Sequence, residues 1–251
     1  MSNISNFRVL AQSLRRPQSL PGDRGWLRIV VSRPIIFDLT STIFQLRDLS
    51  RLKKIENGPE YADDFYEHVH SYNAGVTIKK IITRTRRAER LLPVLGLPPR
   101  DLSSERVLLV GPRNIHEILQ VWLMGYRWRN IEGIDLYSTN PKIRVMNMEH
   151  MSYPEGTFDA LFSSATLSYA KDISGCVREF IRVLKIGGRA AFMHSHVLGE
   201  SEFSGNAISG EEVANAIRLH GGEIYYQNIS QKTIRTGPEA RVYEFGVVRR
   251  T

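Results

Sequence analysis

From Arg106 onward the chain alternates short apolar runs with stretches of helical spacing, and this alternation constrains the fold more than any other feature. Val107-Leu-Leu-Val110, Asn130–Asp135, Ile143–Met146, Thr157–Phe162 and Arg189–Met193 read as strands. Helices are expected between them at Ile115–Gly125 and Asp172–Leu184, the second with Cys176, Val177, Phe180 and Ile181 turned inward and Gly187-Gly188 as its stop. Ser209-Gly-Glu-Glu212 has capping-box spacing and opens a further helix toward Gly221. Glu223–Ile229 and Arg241–Val248 follow with no helix between them, which is the pattern of a hairpin. Continuous apolar strands separated by helices are covered on both faces, so the sheet is expected to be parallel. The expected class is α/β: a seven-stranded, mostly parallel sheet with an antiparallel strand from the C-terminal hairpin, plus a mainly helical N-terminal arm.

The first hundred residues lack this alternation. Pro17, Pro21, Gly22, Gly25 and Pro34 cut them into short runs. Trp26–Val31 reads as a strand, and Ile35–Leu52 as a helix with Ile36, Leu39, Ile43, Leu46, Leu49 and Leu52 at helical spacing. Residues 60–71 and 74–95 read as two more helices, the first rich in acids and aromatics, the second amphipathic and basic. Leu97-Pro-Pro-Arg100 then divides an arm, residues 1–100, from a core, residues 101–251. Charge follows the same division. The arm holds 17 Lys/Arg against 9 Asp/Glu and the core 17 against 17, so the whole net charge of +8 lies in the arm. That excess fits an anionic partner (a nucleotide, a phospholipid surface, an acidic glycan or RNA) as well as a solvated basic face.

One cysteine, Cys176, excludes a disulfide framework and a Cys-rich zinc site and fits a reducing compartment. No set of His, Cys, Asp and Glu has metal-ligand spacing, so no metal is expected. No uncharged apolar run approaches the roughly 18 residues that span a bilayer, and no signal-peptide stretch opens the chain, so a cytoplasmic location is expected.

Ligands of an open parallel sheet bind at the C-terminal strand ends, beside the point where strand order reverses. The first such turn, Gly111-Pro-Arg-Asn114, has one glycine where a dinucleotide turn needs several; a smaller nucleoside needs less. Asp135 ends the second strand, where its carboxylate can accept from both hydroxyls of a ribose or cap the following turn.

The region from Arg106 to about Met193 resembles the class I S-adenosylmethionine-dependent methyltransferases, in their type 11-like group. The pieces that carry the resemblance are the strand, glycine turn and acid just named, then Tyr153-Pro-Glu-Gly-Thr-Phe-Asp159, Leu167-Ser-Tyr169 and Glu179-Phe-Ile-Arg-Val-Leu-Lys-Ile-Gly-Gly-Arg189, in that order and spacing. The Gly-Pro-Arg-Asn turn, followed by Glu117, is similar to a subgroup that carries it in place of Gly-x-Gly. The resemblance implies a Rossmann-like fold and S-adenosyl-L-methionine as cofactor. It implies that Gly111 and Pro112 let the backbone approach the methionine portion, that Asp135 holds the ribose diol, and that Leu136 presses on the adenine. Met146–Glu149, with Asn147 and Met148, would wrap the adenine edge, and Ser163 would border the methionine end. Arg113 would bind the methionine carboxylate or pair with Glu117. The sequence departs from the family at Leu109 and Asn147, where an acid is usual.

Methyl transfer from a sulfonium is an in-line displacement, and the protein mainly aligns donor and acceptor. A hydroxyl acceptor gains from a general base, for which His194, His196 and Tyr169 are the candidates; strand alternation puts both histidines on one side if the fifth strand runs that far. The expected function is O-directed methyl transfer to a small-molecule or glycan acceptor, with the arm as a lid. The alternatives are an RNA methyltransferase, motivated by the basic arm, and a degenerate, non-catalytic binding protein of the same fold.

Overall fold

The computed structural model describes residues 25–48, 53–54, 89, 91–112, 114–138, 140–197, 209–233 and 239–251. Its helices are α1 (Gly25–Val31), α2 (Pro34–Asp48), α3 (Ile115–Met124), α4 (Ile173–Arg182) and α5 (Gly210–Leu219). The main sheet is built from β1 (Val107–Val110), β2 (Ile131–Asp135), β3 (Ile143–Val145), β4 (Phe158–Ser163), β5 (Leu184–Val197), β6 (Gly222–Thr233) and β7 (Glu239–Arg249).

Strand order across the sheet is β3-β2-β1-β4-β5-β7-β6. The first five strands run parallel, and β7 lies antiparallel between β5 and β6. The chain therefore starts the sheet at β1 and builds outward to both sides. β1 is apolar at every position because each of its faces meets a core. Leu108 and Val110 pack with α4 and α5, while Val107 and Leu109 pack with α3 and the arm. Local chemistry sets the helix starts: the Asn114 side chain accepts from the His116 N–H at 2.9 Å, and Asp172 accepts from the Gly175 N–H at 2.8 Å. The capping box of Ser209 and Glu212 forms with both of its bonds.

Two local expectations are corrected. Trp26–Val31 is not a strand but belongs to α1. Arg28 and Val31, three residues apart, are both buried, and the Arg28 guanidinium donates to the Tyr126 carbonyl at 2.7 Å while lying 5.2 Å from the Trp122 ring. That contact, 98 residues away in sequence, outweighs the β-propensity of the Val-rich run. The second correction concerns Gly187-Gly188. α4 ends five residues earlier than Gly187, at Arg182, and the glycines fall in the irregular start of β5. There the pairing with β4 jumps from Phe158–Leu184 to Ala160–Arg189, and Gly187 takes φ +78°. β5 then continues to Val197 and takes in both His194 and His196.

The described part of the arm is built into the core. Leu91, Leu92, Val94 and Leu95 are buried in the same cluster as β1 and α3, and so are Val31 and Phe37. Phe37 meets the His116 ring edge-on at 4.7 Å. Removal of residues 1–73 would therefore open the core as well as any lid. The helix expected over 60–71, with its aromatics Tyr61, Phe65 and Tyr66, lies outside the described residues. So does most of the basic helix over 74–95, whose end forms a 3-10 turn at Leu92–Gly96.

α2 also repairs a topological shortage. Only residues 136–142 join parallel β2 to β3, whereas such a crossover usually takes a dozen residues or more and a helix. The arm supplies the missing cover: Asp48 of α2 accepts a hydrogen bond from Asn140, and residues 53–54 pair antiparallel with Tyr137–Ser138.

One carboxylate gives this fold a testable acid sensitivity. Burial pushes the Glu179 carboxyl up, but hydrogen bonds from Arg182 (2.6 Å) and from the Met151 N–H (2.9 Å) outweigh it and hold it below the usual range. A lowered folded pKa adds stability that is present above the unfolded value, near 4.5, and lost as pH falls through the folded one. Urea midpoints measured across that acid window should fall more steeply in the parent than in Glu179→Gln, and parallel curves would contradict the assignment.

Candidate cofactor cleft

The reversal of strand order at β1 brings three strand ends together: the Gly111 turn after β1, Asp135 at the end of β2, and Ser163-Ser164 at the end of β4. The Gly111 N–H donates to the Ile134 carbonyl at 2.8 Å, and the residue takes φ +69°. A Cβ there would come within 2.1 Å of Thr166 Oγ1, so the glycine is required both by the turn and by the Thr166 side chain that crosses it. The Thr166 hydroxyl donates to the Val110 carbonyl at 3.3 Å. Pro112 is buried, and a Cβ on Gly133 would approach its ring to 2.8 Å, so Pro112 wedges the turn against β2. Arg113 lies outside the described residues.

Asp135 is half-buried, and its Oδ1 accepts from the Leu136 N–H at 2.7 Å, which fixes the plane of the carboxylate. Its carbonyl accepts from the Met146 N–H at 2.9 Å, holding the 146–149 segment beside the strand end. Leu136 is half-buried at the same end. Asn147 is buried, and its Oδ1 accepts from the Glu149 N–H at 2.9 Å, so the carbonyl expected to meet an adenine amino group also closes a local turn. Met148 packs into the core with Met151 and Tyr153. Glu149 accepts from the Lys171 N–H at 2.8 Å and ties this segment to the approach of α4.

The end of β4 carries the features that sequence reasoning mostly missed. The hydroxyls of Ser163 (0% exposed) and Ser164 (5%) are buried without a hydrogen-bond partner among the described residues. Ala165 follows with φ +59°, a left-handed conformation that a residue with a Cβ adopts at a cost of roughly 1–2 kcal/mol. Unsatisfied buried hydroxyls beside a strained residue are features of a site built for a polar ligand. Ser163 was anticipated; Ser164 and Thr166 were not, although the run Ser163-Ser-Ala-Thr at a strand end carries the signal. An unpaired buried hydroxyl costs about 1–3 kcal/mol. Ser163→Ala should therefore leave the ligand-free protein as stable as the parent or more so, while weakening nucleoside binding severalfold. Thermal unfolding with and without ligand reads both, and a loss of stability in the ligand-free protein would mean the hydroxyl is already satisfied.

His194 and His196 lie on the β5 face that carries Phe192, the side of α4 and α5. His194 is 1% exposed and stands opposite Tyr243 of β7, whereas His196 is half-buried. His196 faces Glu212 at the start of α5. The Ser209 N–H and hydroxyl hold that carboxyl below its usual range, with a smaller electrostatic contribution from His196. The Leu167–Tyr169 turn is clamped to β5 by Ser168, whose hydroxyl donates to the Ser195 carbonyl (3.4 Å) and accepts from the Ser195 N–H (3.2 Å). Half-buried Tyr169 is thus fixed beside the strand that bears the histidines. Of the two, His196 is the more exposed. Among the described residues no group of three or more His, Cys, Asp or Glu could hold a metal ion, and no helix is long and apolar enough to cross a membrane.

Comparison with known proteins agrees with this fold. Residues 127–192 match the family described as "Methyltransferase domain". No curated protein sequence matches the chain. Among solved structures, phosphoethanolamine N-methyltransferase 2 of Haemonchus contortus superposes with a TM-score of 0.55 at 12% identity, over 75% of this chain and 60% of its own. A candidate methyltransferase of Bacillus halodurans gives 0.53 at 11% identity, over 66% of this chain and 100% of its own. Geranyl diphosphate C-methyltransferase of Streptomyces coelicolor gives 0.52 at 15% identity, over 79% and 90%. The first and third were solved with S-adenosylhomocysteine. At these identities the likeness establishes a shared Rossmann-like fold, and function has to be argued from the site.

Proposed function

We propose that the chain is an S-adenosylmethionine-dependent methyltransferase directed at a hydroxyl of a small-molecule or glycan acceptor. The observation that carries this reading is the meeting of a fixed carboxylate, Asp135, with the two unsatisfied hydroxyls of Ser163 and Ser164 at the switch point of the sheet. These residues fit the cofactor's own pattern of groups. A ribose offers a pair of donors to a carboxylate, and a methionine end offers ammonium and carboxylate to hydroxyls. Leu136 gives the base an apolar surface. The match of residues 127–192 to the methyltransferase family supports the same conclusion.

When bound, S-adenosylmethionine supplies a methyl group on a positively charged sulfur, ready for in-line displacement. The chain's task is then alignment and proton removal. Tyr169, held by the Ser168 clamp, would border the acceptor, and His196 would take the proton of the acceptor hydroxyl. Glu212 would steady the resulting imidazolium, since the two already interact. Buried His194 would support the pocket wall beneath it.

The test is calorimetry with S-adenosylmethionine, followed by transfer of labelled methyl to panels of hydroxylated small molecules and glycans. Binding and transfer support the reading. Absence of heat and of any thermal shift would favour a non-catalytic binding protein. Transfer to RNA, with acceptor binding that weakens steeply as salt rises, would favour a nucleic-acid substrate instead.

A further inference from the structure

α2 is amphipathic the wrong way round for a helix lying on a core. Its buried positions are Phe37, Ser41, Gln45 and Asp48. Outward it presents Ile35, Leu39, Ile43 and Leu46, which are 83%, 60%, 57% and 56% exposed. Long-range polar contacts hold this phase: Ser41 Oγ lies 3.2 Å from His116 Nδ1, and Asp48 accepts from Asn140. α1 extends the outer surface with exposed Ile29 and Val30, and Ile36 completes it. Seven of the ten exposed large hydrophobics among the described residues therefore sit on two short neighbouring helices. A contiguous aliphatic surface of this kind marks an interface.

Charge identifies the occupant. Both cations of this surface, Arg33 and Arg47, are exposed; Arg47 pairs with buried Asp48 at 3.0 Å, and Asp38 is half-buried, so Arg33 is the cation this face leaves toward solvent. Arg47 stands one helical turn from Ile43, so cation and aliphatic face are adjacent. It also borders a cavity of about 570 Å³ that is lined by Trp128, Arg129, Lys142 and Arg144, with Glu132 as its single carboxylate. A second copy of the chain is a poor match. A two-fold contact would set this patch against itself, cations opposite cations, with no exposed acid to receive them. An anionic lipid surface matches both properties.

We propose that the outer face of α1 and α2 docks the chain on an anionic bilayer surface. The aliphatic side chains enter the headgroup–acyl boundary, and Arg33 and Arg129 meet lipid phosphates. The helices lie in the interface plane.

Flotation of the full chain with vesicles of phosphatidylcholine, with and without phosphatidylglycerol, tests this. Binding to the anionic vesicles alone, weakening as salt rises, is expected. Leu39→Glu/Ile43→Glu should lower it about tenfold or more, and Arg33→Glu/Arg129→Glu should lower it severalfold. All four positions are solvent-facing, so unchanged circular dichroism and melting temperature confirm that the variants fold. Failure to bind either vesicle, equal binding to both, or binding that the glutamates leave intact would overturn the proposal. A dimer in sedimentation that Leu39→Glu/Ile43→Glu disperses, without vesicle binding, would assign the face to a second copy and also overturn it. None of these readouts depends on methyl transfer.

Discussion

Asp135→Asn is expected to weaken S-adenosylmethionine binding roughly thirtyfold while leaving the ligand-free protein almost unchanged. The substitution keeps an oxygen that can accept from the Leu136 N–H, the 2.7 Å bond that sets the side chain at the end of β2. What it removes is the negative charge and one of the two acceptors offered to a ribose diol. Charge-assisted hydrogen bonds are about twice as strong as neutral ones, so two weakened bonds amount to about 2 kcal/mol, or roughly thirtyfold in affinity. Asp135→Ala removes the local bond as well and should bind still less tightly, with a lower melting temperature. Calorimetry gives the affinity and thermal unfolding the stability. An Asn variant that binds like the parent would mean that the carboxylate serves only its own turn. The reading of the cleft as a nucleoside site would then lose its strongest support.

The features that could be read from the sequence are those whose causes are local. β1 begins and ends at Val107 and Val110 as expected, because a run buried on both faces has to be apolar throughout. The capping box at Ser209 is specified by two residues three apart, and it forms. The position of Asp135 at a strand end followed from the length of one apolar run. Features with distant causes were not legible. α1 is helical because Arg28 finds the Tyr126 carbonyl and the Trp122 ring, and nothing near Trp26–Val31 announces either. The spacing of Ile36, Leu39, Ile43 and Leu46 correctly gives a helix, but its phase is set by His116 and Asn140. The helix therefore turns its apolar stripe outward. At the site, β5 had to run past Met193 before His194 and His196 could share a face, and its pairing with β7 carries it there. The unsatisfied state of Ser163 and Ser164 depends on every neighbour around them, and composition alone cannot reveal it.

Glu105→Leu should destabilise the protein by about 3–5 kcal/mol, and adding Arg189→Met should recover most of that loss. The two side chains meet at 2.5 Å by the N-terminal ends of the central strands, the end opposite the cleft, where Arg189 is 2% exposed and Glu105 12%. Arg100, from the end of the arm, lies 3.6 Å from the same carboxylate, and the Tyr126 hydroxyl donates to it at 3.5 Å. Burial raises the Glu105 carboxyl above its usual range in spite of Arg189 and Arg100, so the attraction does not repay the loss of water around the carboxylate. Two nitrogens of Arg189, Nε and one terminal amine, are buried without a partner among the described residues. Leucine at position 105 would strand the third and leave a whole guanidinium uncompensated. A second apolar side chain removes that charge, and what remains is the quality of the packing. With folding free energies of about 5–15 kcal/mol, the single substitution takes a large share of the total. Urea unfolding of the four species in a double-mutant cycle measures the coupling. If the two losses simply add, the pair is not an isolated buried unit. Because the cluster lies at the opposite end of the strands from Gly111 and Asp135, the double variant should keep the parent's affinity for S-adenosylmethionine. That separates the scaffold from the cleft in one experiment.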